Sequence, residues 1–322
     1  MRIVHIGLGQ FGFGWFKMLA ERKDIELVGV VDLSTEALSQ TKEYNFNLYT
    51  DAAKAMDEQK PDFIINATPP DIHKLINYEA FKRNIPILSE KPIAISYDDA
   101  VEILEYSQNG LKIMIAENYR YFQANRFVKE VLDKKPIGEI TDIKMEFRRH
   151  HVKTNYHKHL EHPMLLDVGI HHLDMLRYFT ETEAKSVYAD FHTPSWSWYE
   201  GYSNAALFIT MMNGTKVRYT GSLDAYDEHT SWYCDWTFTG EKGVLRYKNN
   251  EMVYISTDGK VLEVLVPEES VPFREVILDH FMDYLKNDIL PETHIADNMK
   301  TFEIMNAAFK SFELKKEIDV KV

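Results

Sequence analysis

The feature that most limits what this chain can fold into lies at its start. The apolar run Arg2 to Ile6 feeds directly into Gly7-Leu8-Gly9-Gln10-Phe11-Gly12, and a helix-compatible stretch, Phe11 to Arg22, follows. Strand, glycine turn and helix in that order are the fingerprint of a dinucleotide-binding βαβ unit. One glycine makes the tight turn, one lets the backbone approach a pyrophosphate, and one lets the helix pack closely on the strand. The helix N-terminus then faces the phosphates. Gly7, Gly9, Gln10, Phe11 and Gly12 are accordingly the expected phosphate-side residues.

Leu27 to Val31 reads as a buried parallel strand ended by Asp32, twenty residues beyond Gly12. A carboxylate there accepts hydrogen bonds from ribose hydroxyls and repels a 2'-phosphate. No Lys or Arg occurs between Leu33 and Thr41, so NAD is expected in preference to NADP. The alternation continues with a helix Thr35 to Tyr44, a strand Phe46 to Tyr49, a helix from Asp51, a strand Phe63 to Asn66, a helix Ile72 to Lys82 and a strand Ile85 to Leu88. Such alternation predicts a doubly wound parallel sheet, which binds ligands at the carboxyl ends of its strands. Two turns fall at such ends, Thr68-Pro69-Pro70 and Glu90-Lys91-Pro92. Pro92 biases Lys91 toward an extended backbone, and Ser96 is placed to cap a helix Tyr97 to Ser107. Taken alone, the triplet reads more readily as a surface lysine at a helix entrance.

A chain of 322 residues exceeds what one hydrophobic core supports, so two domains are expected, residues 1–119 and 120–322. The second reads as a helix Tyr121 to Lys134 and then turn-separated strands: Ile140 to Arg149, Ser186 to Phe191, Ala205 to Met211, Lys216 to Ser222, Tyr233 to Thr239 and Val261 to Val266. That series argues for an antiparallel sheet. Leu165 to Phe179 reads as a helix that carries Asp167, His171 and Asp174 on one face. Two helices, Phe273 to Leu285 and Ala296 to Leu314, close the chain.

Seven of the thirteen histidines lie between His150 and His172, without H-E-x-x-H spacing or a nearby cysteine. No metal is expected, and His151, which closes the first strand of this domain, is a candidate substrate contact. The net charge of -13 and pI near 5.5 argue against nucleic acid and anionic membranes as partners. Cys234 is the only cysteine, MRIVHIG is not a secretory leader and no apolar run is long enough to span a bilayer, so a cytoplasmic protein is expected.

Together these motifs resemble the glucose-fructose oxidoreductase, inositol dehydrogenase and MocA family. The resemblance runs through GLGQFG, Asp32, ATPP with His73, EKP, AENYR at Ala116 to Arg120, LLDVGIHHLDML at Leu165 to Leu176 and FTGEKGVLR at Phe238 to Arg246. It implies an N-terminal Rossmann domain and a C-terminal open, mostly antiparallel β-sheet domain that carries the substrate site and makes a homodimer or homotetramer. It also implies that Thr68, Pro69, His73 and Glu90 serve the cofactor, that Lys91, Asp167 and His171 are catalytic, and that Tyr119 lies on the substrate side. Glu161 to Met164 departs from the family, which often has a glycine-rich segment there.

The implied activity is NAD-dependent hydride transfer at a secondary hydroxyl or ketone of a sugar, polyol or sugar derivative. His171 would take the proton and Lys91 would stabilise the alkoxide, although a desolvated Lys91 could itself be the base. Two alternatives share the motifs. One is transient use of bound NAD for redox-neutral glycoside cleavage, elimination or epimerisation; the other is a non-catalytic NAD-sensing regulator.

Overall fold

The computed structural model describes residues 1–322 except Asn45, Lys153, Thr154, Val322 and the side chain of Asn155. The chain forms two compact units, Met1–Asn118 with Val271–Met299, and Tyr119–Ser270 with Lys300–Val322.

In the first unit six parallel strands, β1 (Arg2–Ile6), β2 (Glu26–Val31), β3 (Leu48–Tyr49), β4 (Phe63–Asn66), β5 (Ile87–Ser89) and β6 (Ile113–Ile115), line up in the order β3-β2-β1-β4-β5-β6. This is the Rossmann order. Residues of β1, β4, β5 and β6 are almost all buried on both faces, as parallel strands covered by helices must be. The helices are α1 (Gln10–Glu21), α2 (Thr35–Ser39), α3 (Ala52–Gln59), α4 (Pro70–Lys82) and α5 (Tyr97–Gln108). Ser34, Asp51 and Ser96 cap α2, α3 and α5 through side chains that accept from backbone N–H groups. The helix expected to Tyr44 stops at Ser39, and a 3₁₀ turn at Lys42–Tyr44 follows. The reason lies at buried Thr41, whose hydroxyl donates to the Leu38 carbonyl at 2.8 Å and so competes with helix continuation.

The second unit holds α6 (Gln123–Asp133), β7 (Ile140–Arg148), α7 (Asn155–Lys158), a π-helical turn Met164–Gly169 that runs into α8 (Ile170–Thr180), and strands β8 (Ala184–His192), β9 (Asn204–Met211), β10 (Lys216–Ser222), β11 (Asp235–Gly240), β12 (Gly243–Lys248), β13 (Met252–Thr257), β14 (Lys260–Leu265) and β15 (Ile318–Asp319). They form one sheet, β14-β13-β12-β11-β7-β10-β9-β8-β15. Every pairing is antiparallel except β7 with β10. The inner face carries Ile143, Met145 and Phe147 of β7, fully buried as their alternation predicts. Over this face lies α8, with Phe179 edge-on to Trp236 at 5.1 Å and His172 against Phe147 at 5.0 Å. On the outer face Tyr188 and Phe208 pair across β8 and β9 and remain exposed.

Two helices close the chain, α9 (Phe273–Asn287) and α10 (Ile295–Leu314). A single boundary after residue 119 is what the sequence leads one to expect, whereas residues 271–299 belong to the first unit. An amphipathic pattern announces that a helix has a buried face, not what will cover it. Here Ile277, Leu278 and Phe281 are fully buried, Phe281 lies edge-on to Phe63 of β4 at 5.2 Å, and Lys112 donates to the Tyr284 carbonyl at the C-terminal end of α9 at 2.8 Å. Phe281→Ala should therefore cost about 3–5 kcal/mol in urea denaturation; a loss below about 1 kcal/mol would mean that α9 is not part of the first core.

Candidate functional site

The glycine turn is built so that a dinucleotide can approach it. Gly7 has φ +99°, and a Cβ there would lie 2.4 Å from the Ala67 carbonyl oxygen. At Gly12 a Cβ would meet the Gly7 carbonyl oxygen at 2.1 Å. Gly9 differs: nothing stands within 4 Å of where its Cβ would be, and as the N-cap of α1 it offers no side-chain acceptor. The first amides of α1, from Gln10 and Phe11, thus start beside open space, which suits a pyrophosphate. Asp32 holds the turn from below, accepting from Leu8 N–H and Ser34 N–H, both at 2.7 Å. Each carboxylate oxygen keeps a second lone pair for a ribose hydroxyl. These residues fit a bound dinucleotide.

His5, which sequence reasoning passed over, is fully buried and donates from Nε2 to the Gly12 carbonyl at 2.9 Å. Burial lowers its pKa to about 4. Its signal was a histidine within an otherwise apolar strand.

At the next strand end Asn66 organises the turn. Its Oδ1 accepts the Thr68 hydroxyl at 2.7 Å, and its Nδ2 donates to Asn77 at 2.9 Å. His73 is fully buried, with Nδ1 2.8 Å from the Pro92 carbonyl oxygen and Nε2 2.9 Å from that of Thr68. It faces these two loops and no open space, and so ties the Thr68 turn to the EKP turn. Pro69 is the N-cap of α4. Glu90 is buried and accepts from Trp15 Nε1 at 2.7 Å; burial raises its pKa. Lys91 follows it, half-buried, at the carboxyl end of β5, and its peptide bond to Pro92 is cis.

In the second unit the π-helical turn places Asp167 just ahead of His171 and His172. Such turns recur at functional sites. His171 lies flat on Tyr119, ring centres 4.1 Å apart and planes 8° from parallel. His172 is fully buried between the Tyr219 hydroxyl, 3.0 Å from Nδ1, and the Trp232 carbonyl, 2.9 Å from Nε2. The carbonyl can only accept, so Nε2 carries the proton and Nδ1 accepts from Tyr219. Burial lowers the pKa of His172 to about 3. Trp232 in turn meets His151 edge to face at 4.8 Å, and the His151 carbonyl accepts from the Tyr199 hydroxyl. His157 Nε2 lies 3.8 Å from Asp167 Oδ1.

The structure thus brings Tyr119, His151, Asp167 and His171 into one unit with His172, Tyr199, Tyr219 and Trp232. Of these last four only His172 stood out in the sequence, as a member of the histidine cluster. Asp174, read as sharing the face of Asp167 and His171, is diverted. It is fully buried, takes a two-pronged ion pair from Arg120 at 2.7 Å and accepts from Thr301 at 2.9 Å. The π-turn breaks the uniform helical spacing on which that expectation rested. Among the described residues no group of three or more His, Cys, Asp or Glu could hold a metal ion.

Comparison with known proteins agrees with both halves. Residues 1–117 match the family described as an oxidoreductase family with an NAD-binding Rossmann fold, and residues 125–246 match the GFO/IDH/MocA C-terminal domain. The chain belongs to the Gfo/Idh/MocA oxidoreductase family. It is 24% identical to a D-apiose dehydrogenase of Rhizobium rhizogenes over 84% of this chain and 83% of that one. With a glucose-6-phosphate 3-dehydrogenase of Bacillus subtilis it shares 26% identity over 58% of this chain and 57% of the other. Among solved structures it superimposes with TM-score 0.89 and 22% identity on an Agrobacterium radiobacter oxidoreductase in complex with NAD+, L-tartaric acid and magnesium, over 99% of this chain and 98% of that one. This Gfo/Idh/MocA protein is accordingly an NAD-binding oxidoreductase.

The buried histidines give a signed pH dependence. His5 titrates near 4 in the fold against an ordinary 6.5, so below the ordinary value the unfolded chain takes up a proton that the folded chain refuses. Stability should fall as pH drops from about 6.5 to about 4, by about 3 kcal/mol for His5. His5→Gln keeps a donor for the Gly12 carbonyl and removes the titration. Urea denaturation at pH 7 and 4.5 should show a smaller pH difference in the variant; an unchanged difference would mean that His5 is not held neutral.

Proposed function

We propose that this family member is an NAD-dependent dehydrogenase that acts on a secondary hydroxyl, or the corresponding ketone, of a sugar, polyol or sugar derivative. The observation that carries the reading is the position of Lys91. It stands at the carboxyl edge of the parallel sheet, after the anchored Glu90, in the unit whose glycine turn is shaped for a dinucleotide. Relatives named for D-apiose and glucose 6-phosphate support the substrate class.

Nicotinamide, when bound, supplies the hydride acceptor: the carbinol C–H bond breaks with its electron pair, the O–H proton passes to a base, and a ketone remains. The Lys91 ammonium stabilises the developing alkoxide, a role worth about 10²- to 10³-fold in rate. With Lys91 given to the alkoxide and both ring nitrogens of His172 spent on Tyr219 and Trp232, the base role is assigned to His171, held flat on Tyr119, with Asp167 as its orienting carboxylate. Gly7, Gly9, Gln10, Phe11, Gly12 and Asp32 hold the nucleotide, Thr68, Pro69 and Glu90 the nicotinamide end, and Tyr119 and His151 the substrate. His73 supports the nicotinamide end by fixing its loops. Asp32 favours NAD over NADP.

The outer face of the second sheet, with Tyr188 and Phe208 exposed across β8 and β9, is the proposed contact of a homodimer or homotetramer. Among the described residues no helix is long and apolar enough to cross a membrane.

Lys91→Ala should lower kcat about 10²- to 10³-fold while the fluorescence-measured Kd for NADH stays within about twofold, and the wild type should bind NADH more tightly than NADPH. A near-normal kcat removes Lys91 from the chemistry, and tighter NADPH removes the role given to Asp32. Reduced nicotinamide should accumulate with substrate; turnover without lasting accumulation would place the reaction in the redox-neutral class. Phe208→Lys should shift light-scattering mass toward the monomer, and an unchanged oligomer would place the contact elsewhere.

A further inference from the structure

Arg148 ends β7 and Arg149 follows it directly, and strand alternation sends the two to opposite faces. Arg148 pairs with Glu228 at 2.9 Å. Arg149 instead follows Ile143, Met145 and Phe147 toward the inner face, where its guanidinium lies 5.1 Å from the centre of the Trp232 ring. It is half-buried, its Nε is buried with no acceptor, and among the described residues no carboxylate pairs with it. The acid in the adjoining loop is already committed: Asp224, bridged through its backbone to His150, accepts from Ser197, Ser203 and Asn204. Trp232, on which Arg149 lies, also meets His151 and gives its carbonyl to His172, the neighbour of His171. A cation withdrawn from water without a counter-charge is costly. Stacking on an indole holds the guanidinium plane and leaves its terminal N–H fork to address a planar or tetrahedral oxyanion in two places at once.

We propose that Arg149 binds an oxyanion carried by the substrate, so that the physiological substrate is an anionic polyol, a sugar acid or a sugar phosphate, and not a neutral sugar. The inference rests on the dehydrogenase reading for its substrate but not for its anion. Arg149 sets specificity; the hydride and proton steps remain with the residues above.

The test is a panel of D-gluconate, D-glucuronate and glucose 6-phosphate against the neutral D-glucose and myo-inositol, with wild type, Arg149→Met and Arg149→Lys. Met retains packing against Trp232 without charge, and Lys retains charge without the fork. The wild type should favour an anionic substrate, and Arg149→Met should collapse the anionic-to-neutral ratio of kcat/KM by about 10²-fold, chiefly through KM. Arg149→Lys should fall between, and carboxylate against phosphate identifies the source of the oxyanion. A wild type that favours neutral substrates, or a ratio unchanged in both variants, overturns the proposal.

Calorimetric titration with gluconate and glucose 6-phosphate in the presence of NAD separates the two readings. Anion binding lost in Arg149→Met, without oxidation of any panel member, fails the dehydrogenase and keeps the arginine. Oxidation insensitive to Arg149 does the reverse. Absence of anion binding to the wild type overturns the arginine's role directly. If Arg149→Met fails to fold, as its melting temperature would reveal, the Arg149→Lys ratio decides alone.

Discussion

A Cβ at Gly7 would collide with the Ala67 carbonyl, and one at Gly12 with the Gly7 carbonyl, so β1, β4 and α1 meet as they do because both atoms are missing. Other features of the nucleotide unit follow from that clearance. It lets α1 start at the sheet edge with its first amides uncapped, and it brings the Gly12 carbonyl within reach of His5. Asp32 then fixes the loop by its backbone at Leu8. Trp15, one turn further along α1, reaches across to Glu90, so the same helix that begins at the glycine turn also anchors the turn that carries Lys91.

The second unit relies on charge where the first relies on clearance. Arg120 and Asp174 form a pair with almost no solvent contact, extended by Thr301 and by Arg177, which also grips Glu183. Removing one partner of such a pair costs about 3–5 kcal/mol because the other charge is stranded. Asp174 lies less than one helical turn beyond His171, so this buried network sets the rotation of α8 and with it the direction in which His171 and His172 project. The ring of Tyr119 against His171 and the Trp232 carbonyl on His172 then complete their settings.

The sequence carried the nucleotide unit well, because parallel strands are continuous apolar runs and glycines mark forbidden Cβ positions. GLGQFG, Asp32 and the alternation to Leu88 needed only local rules, as did the inward alternation of Ile143, Met145 and Phe147. Facts that depend on distant partners were not legible. The burial face of α9 was readable but its docking onto Phe63 was not. The π-turn leaves no periodicity signature, so Asp174 read as a neighbour of Asp167. Alternation separates Arg148 from Arg149 by face, but the partners that meet them, Glu228 and Trp232, lie some eighty residues downstream and are known only once the chain folds back.

One strand has a consequence outside catalysis. As the last member of its sheet, β14 pairs with β13 on one side only, and it exposes Val261, Leu262 and Leu265. The hexapeptide Val261-Leu262-Glu263-Val264-Leu265-Val266 is interrupted by a single charge, Glu263. An open ladder edge rich in β-branched and aliphatic residues is a template for pairing with foreign strands. Glu263 stands where a charge opposes such pairing, so the one acidic side chain in this run serves the margin of the sheet and no chemistry.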